Sequence, residues 1–245
     1  MDITLQDYTS HHIIPAHNGR KCVDGRYEDT EFDQGMIACA GADFGSVMIL
    51  LTLNREKKWG FTPEECVEKV YSALVEKGDI FYMHTDTHAS SDGTIGEHCE
   101  VGCGHAGKAM NPELAPLYDV DPEDVKKALL YIRKLQLDHS EKIVVVNLPG
   151  EHAEEGVITV IAKDKSIQPH AESHMYFIYD SERYNDYAED LVKHLHISGL
   201  TLEDFKRVAQ KQLTATLHNL AAGKQIFNVD LTHETPIITP GPVVQ

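Results

Sequence analysis

The chain has 245 residues, 42% of them hydrophobic, which is enough for a sizeable core in one domain. Its formal net charge of −17 argues against nucleic acid or an anionic membrane as the principal partner. Five irregularly spaced cysteines do not make a disulfide framework, no cationic-then-apolar leader opens the chain and no apolar run reaches membrane-spanning length, so the expectation is a reduced, cytoplasmic protein.

Residues 1–18 are polar, histidine-bearing and without period, which predicts an N-terminal arm. An extended stretch is expected over 21–24, with Gly25 allowing a turn, and the small-residue run 36–42 suits a buried strand or a close backbone approach. Residues 44–57 read as helix, because Val47, Leu50, Leu51 and Asn54 step around successive turns. Thr62-Pro63-Glu64-Glu65 is a capping box with proline in the first turn, and Gly78 follows at the far end. The apolar run 80–83 predicts a buried strand that delivers His84 at its C-terminal end, where open α/β sheets place their chemistry. Residues 85–102 form a loop rich in Gly, Ser, Asp and His, followed by a short helix from Gly104 and a longer one from Asp121 through Leu137. Strands are expected over 143–148, 156–163 and 174–179 from their β-branched and aromatic content. Thr201-Leu202-Glu203-Asp204 caps a helix with an apolar stripe of Phe205, Val208, Leu213 and Leu217; a strand over 225–231 and a proline-rich extended tail follow. Strands and helices interleave without repeats or linkers. The expected fold is therefore α/β: one domain over 19–231 with a mixed central sheet flanked by helices, and a tail over 232–245.

The chemistry concentrates in three runs. Cys22-Val23-Asp24-Gly25-Arg26 carries a thiol followed by a carboxylate and a guanidinium, His84-Thr85-Asp86-Thr87-His88 carries imidazoles, and Val101-Gly102-Cys103-Gly104-His105 carries a second thiol. Thiolate sulfur and imidazole nitrogen suit zinc or cadmium, and two thiolates with one imidazole leave a fourth position for water. A metal lowers the pKa of such water from ~15.7 to about 7. Asp24 is placed to orient that water, and Arg26 to hold Asp24 ionised through a bidentate contact. A purely structural zinc site has no use for that carboxylate–guanidinium pair.

Cys22-Val23-Asp24-Gly25-Arg26 resembles the first metal-binding motif of the cadmium-type (zeta) carbonic anhydrases and, more distantly, the C-x-D-x-R of the beta class. His84-Thr85-Asp86 with Ser90-Ser91-Asp92 and Gly102-Cys103-Gly104 is similar to the zeta segment that supplies the histidine and the second cysteine. The likeness continues through residues 141–148 and the final helix and strand. It implies a carbon dioxide hydratase working with zinc or cadmium, with Cys22, His84 and Cys103 as ligands and Asp24 and Arg26 as the supporting pair. The interval from histidine to second cysteine is longer here than in that family, with extra residues around Gly93 to Cys99, and this keeps His88 and His98 as alternative ligands. His84 is preferred because it ends a strand and matches the His-x-Asp pattern. Cys99 competes with Cys103, but Gly102 and Gly104 give Cys103 the backbone freedom a metal loop wants.

Cys39 and Cys66 lie in apolar or helical contexts and are read as core. Two other function classes stand beside the carbonic anhydrase: a metal-dependent hydrolase of another small substrate, suggested by His84-x-Asp86-x-His88, and a non-catalytic metal-binding protein. Asp24 and Arg26 distinguish an enzyme from a metal store. The implied substrate pair is carbon dioxide and bicarbonate.

Overall fold

The computed structural model describes residues 3–4, 20–22, 37–39, 41–85, 104–139, 142–147, 158–162, 174–178, 182–221, 225–230 and 237–243. In chain order the elements are β1 (Ile3–Thr4), β2 (Arg20–Cys22), β3 (Ile37–Cys39), α1 (Asp43–Lys57), α2 (Pro63–Glu76), β4 (Phe81–Thr85), α3 (Gly104–Ala109), α4 (Ala115–Tyr118) and α5 (Pro122–Asp138). There follow β5 (Ile143–Asn147), β6 (Ile158–Ala162), β7 (His174–Ile178), α6 (Glu182–His194), α7 (Leu202–Ala221), β8 (Gln225–Asp230) and β9 (Ile237–Val243).

Every residue of α1 from 43 to 53 is buried. A helix apolar on all sides must be enclosed on all sides, and α2, α5, α7 and β4 pack against it. Its buried polar side chains are satisfied: Thr52 Oγ1 donates to Met48 O at 3.2 Å, and Gln212 Nε2 of α7 donates to Thr52 Oγ1 at 2.9 Å. The enclosing helices follow from local sequence. In α2 the capping box forms as expected, with Thr62 N–H donating to Glu65 at 2.7 Å and Glu65 N–H donating to Thr62 Oγ1 at 3.2 Å. Its buried face is Cys66, Val67, Val70, Ala73 and Leu74, one stripe of a 3.6-residue period. Gly78 (φ 81°) ends the turn in the left-handed region, where a side chain is strained. In α5 the Asp121 carboxylate accepts from Glu123 N–H at 2.9 Å, and Val125, Ala128, Leu129, Ile132 and Leu135 turn inward. In α7, Phe205, Val208, Ala209, Gln212 and Ala215 form the buried stripe. Phe205 and Val208 were expected there; the side chains of Leu213 and Leu217 lie outside the described residues. Burial of each such Leu or Phe contributes about 1.5–3 kcal/mol.

The expected mixed central sheet is not what the chain builds. Among the described residues the buried apolar cluster is built mainly from helices, with Phe81, Met83 and Ile143 contributed by strands, so no central sheet organises the core. Strand pairs fall instead into separate groups: β1-β5-β4, all parallel; β2-β3, parallel; and β7-β6-β8-β9, in which only β8-β9 is antiparallel. The physical reason lies in α1, whose all-round apolar surface is covered mainly by other helices rather than by a sheet face. β-Branched runs specify extended backbone but not which neighbour they join. The proline-rich tail contributes β9 at the edge of its sheet, where Pro240 and Pro242 cost fewer ladder bonds than in a central strand.

Candidate metal centre and its buried anchor

Cys22 closes β2, and the parallel register with β3 pairs it with Cys39. Sequence reasoning assigned Cys39 to the core and missed this neighbour; nothing local in the run around residue 39 signals it. His84 lies within β4, paired with Val146 of β5, so the strand runs one residue beyond the histidine rather than ending before it. Asp24, Arg26, His88, His98, Cys99 and Cys103 lie outside the described residues. Among the described residues no group of three or more His, Cys, Asp or Glu side chains is placed to hold a metal.

The structure does bring together a buried charged cluster that joins the Cys22 strand to the His84 strand. Arg20 begins β2 and is 1% exposed. Its Nε donates to Asp43 Oδ1 at 2.7 Å and its Nη2 to Asp43 Oδ2 at 3.4 Å. Nη1 donates to Asp79 Oδ2 at 2.9 Å, and Nη2 also reaches Ile80 O at 3.3 Å. Asp43, fully buried at the first position of α1, also accepts from Tyr82 N–H of β4 at 2.7 Å and from the Tyr187 hydroxyl at 3.5 Å. Tyr187 shares a 2.9 Å hydrogen bond with Ser46, and its ring lies 5.1 Å from the Arg20 guanidinium carbon. At the rim Lys77 bridges Asp79 at 3.6 Å and Asp190 at 2.6 Å.

The electrostatics follow from this geometry. Burial alone lowers the Arg20 pKa, but Asp43, Tyr187 and Asp79 outweigh it and hold the guanidinium above its ordinary value. Burial pushes the Asp43 carboxyl up, opposed by the Arg20 charge and by the Tyr82 N–H. The groups converging on Asp43 are all donors, the arrangement a carboxylate requires. Removing one member of such a buried pair typically costs about 3–5 kcal/mol, because the other charge is left without compensation. The one local clue to this cluster is Asp43 itself, a carboxylate set inside the otherwise small and apolar run 36–53.

Thiolate and imidazole are the donors zinc and cadmium prefer. Cys22 and His84 fit that chemistry, and their strands are tied to the same Arg20–Asp43 pair. The third expected ligand, Cys103, immediately precedes Gly104, the first residue of α3. No protein-family model matches the chain, and no curated protein or solved structure was found similar to it. Among the described residues no helix is long and apolar enough to cross a membrane.

Cys66 is a free, buried thiol on α2, as expected of a core cysteine. Burial pushes its pKa from the ordinary 9.0 up to about 12, with Asp124 and Glu65 adding to the effect. The unfolded chain therefore loses this proton first. Stability from the neutral thiol is complete below pH 9.0 and is lost as the pH rises toward about 12. Cys66→Ala is expected to flatten that part of the stability curve, measured by denaturant unfolding across the same window. A wild-type slope in the variant contradicts the assignment.

Proposed function

We propose that the protein is a metal-dependent carbonic anhydrase of the zeta type, hydrating carbon dioxide to bicarbonate with zinc or cadmium held by Cys22, His84 and Cys103. The observation that most supports this reading is that Cys22 and His84 lie on two strands tethered to one buried Arg20–Asp43 pair. The Cys22-Val23-Asp24-Gly25-Arg26 motif adds the groups that turn a metal store into an enzyme. When bound, the metal supplies Lewis-acid activation of water. The Asp24 carboxylate would accept a hydrogen bond from the attacking water and orient it toward carbon dioxide. Arg26 would keep Asp24 ionised through a charge-assisted contact. With thiolate ligands in use, the reading places the protein in a reduced compartment, the cytoplasm.

Two measurements test the reading. Metal per chain is expected to approach one zinc or cadmium, and metal-loaded protein is expected to accelerate carbon dioxide hydration over buffer. Full loading without acceleration contradicts the enzyme reading. Within the site, His84→Ala is expected to lose more metal and activity than His88→Ala or His98→Ala, because β4 holds the His84 backbone in register with Val146. A loss confined to His98→Ala moves the ligand into the 85–102 segment.

A further inference from the structure

We infer that the Arg20–Asp43–Asp79 cluster is the positioning device of the metal centre, fixing the strand that ends on Cys22 relative to the strand that carries His84. The inference rests on the metal-site reading above. Among the described residues the two strands belong to different sheets, β2 with β3 and β4 with β5, and are not laddered to each other, although they pack against each other. A metal site needs its ligand distances held to within about 0.2 Å. Arg20 supplies a tie between the strands. Its guanidinium engages Asp43 at the start of α1 and, on its other side, Asp79 and the Ile80 carbonyl, where the chain enters β4. Asp43 then accepts from Tyr82 N–H, inside β4 itself. The covalent and hydrogen-bonded path is short: Cys22 follows Arg20 by two residues, and His84 follows Tyr82 by two.

A stabilising role alone explains this cluster poorly. Buried ion pairs are often matched or exceeded in stability by well-packed apolar side chains, because both charges must be stripped of water. What the guanidinium provides that an apolar group does not is direction: a planar fork of donors aimed at acceptors on two segments at once. Arg20, Asp43 and Asp79 are thus positioning residues, acting on the metal through the strands.

The test uses cadmium ion as the probe and reads affinity in the full-length protein by competition with a chromophoric chelator, together with thiolate-to-cadmium absorption and thermal unfolding of the apo protein. Arg20→Lys keeps the charge and loses the fork. It is expected to fold and to bind cadmium roughly 10–100-fold more weakly, the usual cost of removing an outer partner of a metal site. Asp79→Asn replaces an ion pair with a hydrogen bond from the guanidinium to a neutral amide oxygen and is expected to weaken binding several-fold. It decides the matter if Arg20→Lys does not fold. Val125→Ala, buried in the first turn of α5, is the control: it is expected to lower the unfolding temperature and leave cadmium affinity unchanged. Equal weakening by Val125→Ala overturns the inference, since affinity then merely tracks stability. Wild-type affinity in both Arg20→Lys and Asp79→Asn overturns it as well, leaving the metal site standing. Absence of cadmium binding that depends on Cys22 in the wild type removes the metal-site reading and the inference together.

Discussion

Cys22→Ser is expected to lose stoichiometric zinc or cadmium, and Cys103→Ser to do the same. A hydroxyl is a poor replacement for thiolate on a borderline-soft ion. It is also neutral where the thiolate carries the charge that offsets the metal's. With three protein ligands in the set, losing one leaves two, fewer than the three that hold a catalytic zinc. Cys66→Ser supplies the contrast, since that thiol is buried on α2 and held neutral by burial. Metal per chain after gel filtration should fall to background in the first two variants and stay at the wild-type level in the third. Tight metal in Cys22→Ser removes the core of the reading.

Asp24→Asn and Arg26→Ala are expected to keep metal and to hydrate carbon dioxide far more slowly. Neither residue is a permanent ligand in the proposed site, so the ion stays. Asn still accepts a hydrogen bond through its amide oxygen, but its amide nitrogen can also donate, so it no longer holds the water in one orientation. Arg26→Ala leaves the Asp24 carboxylate without the fork that fixes it. Loss of such outer partners typically costs about 10–100-fold in activity or affinity. An ordinary surface ion pair, by contrast, is worth under about 1 kcal/mol and carries no chemistry. Hydration rates measured at equal metal occupancy distinguish the two. Wild-type rates in both variants leave the pair structural and move the protein toward a metal store.

The parts of the fold that could be read from the sequence are those written locally. Thr62 and Glu65 sit three residues apart and cap each other, so α2 was visible with its start. Asp121 and Thr201 announce α5 and α7 in the same way. Helix α6 was not expected, although Tyr184, Tyr187, Ala188, Leu191 and Val192 recur at helical spacing and make its period legible. Tyr187, Ala188 and Leu191 are buried, and α2 and α7 pack against the helix. The partition of strands was illegible in the sequence. The runs at 143–147, 158–162 and 225–230 are all extended as expected, but pairing is a long-range choice that β-propensity does not encode.

The site divides along the same line. Cys22 and His84 are proposed as ligands from motif spacing, and both lie on strands. The cluster behind them was not found, because Arg20 meets Asp43 across 23 positions, Asp79 across 59, and Asp43 meets Tyr187 across 144. No local pattern marks an arginine whose partners are that distant. Nor did spacing predict Cys39 as the register partner of Cys22, since two three-residue strands can pair in several registers.

The most direct measurement of the central claim is stopped-flow carbon dioxide hydration, followed with a pH indicator, on protein loaded to one zinc or cadmium per chain. The account predicts a rate above buffer that is proportional to protein concentration, disappears with a strong chelator, returns on adding metal and is absent in Cys22→Ser at equal concentration. A fully loaded wild-type protein that leaves the buffer rate unchanged contradicts it.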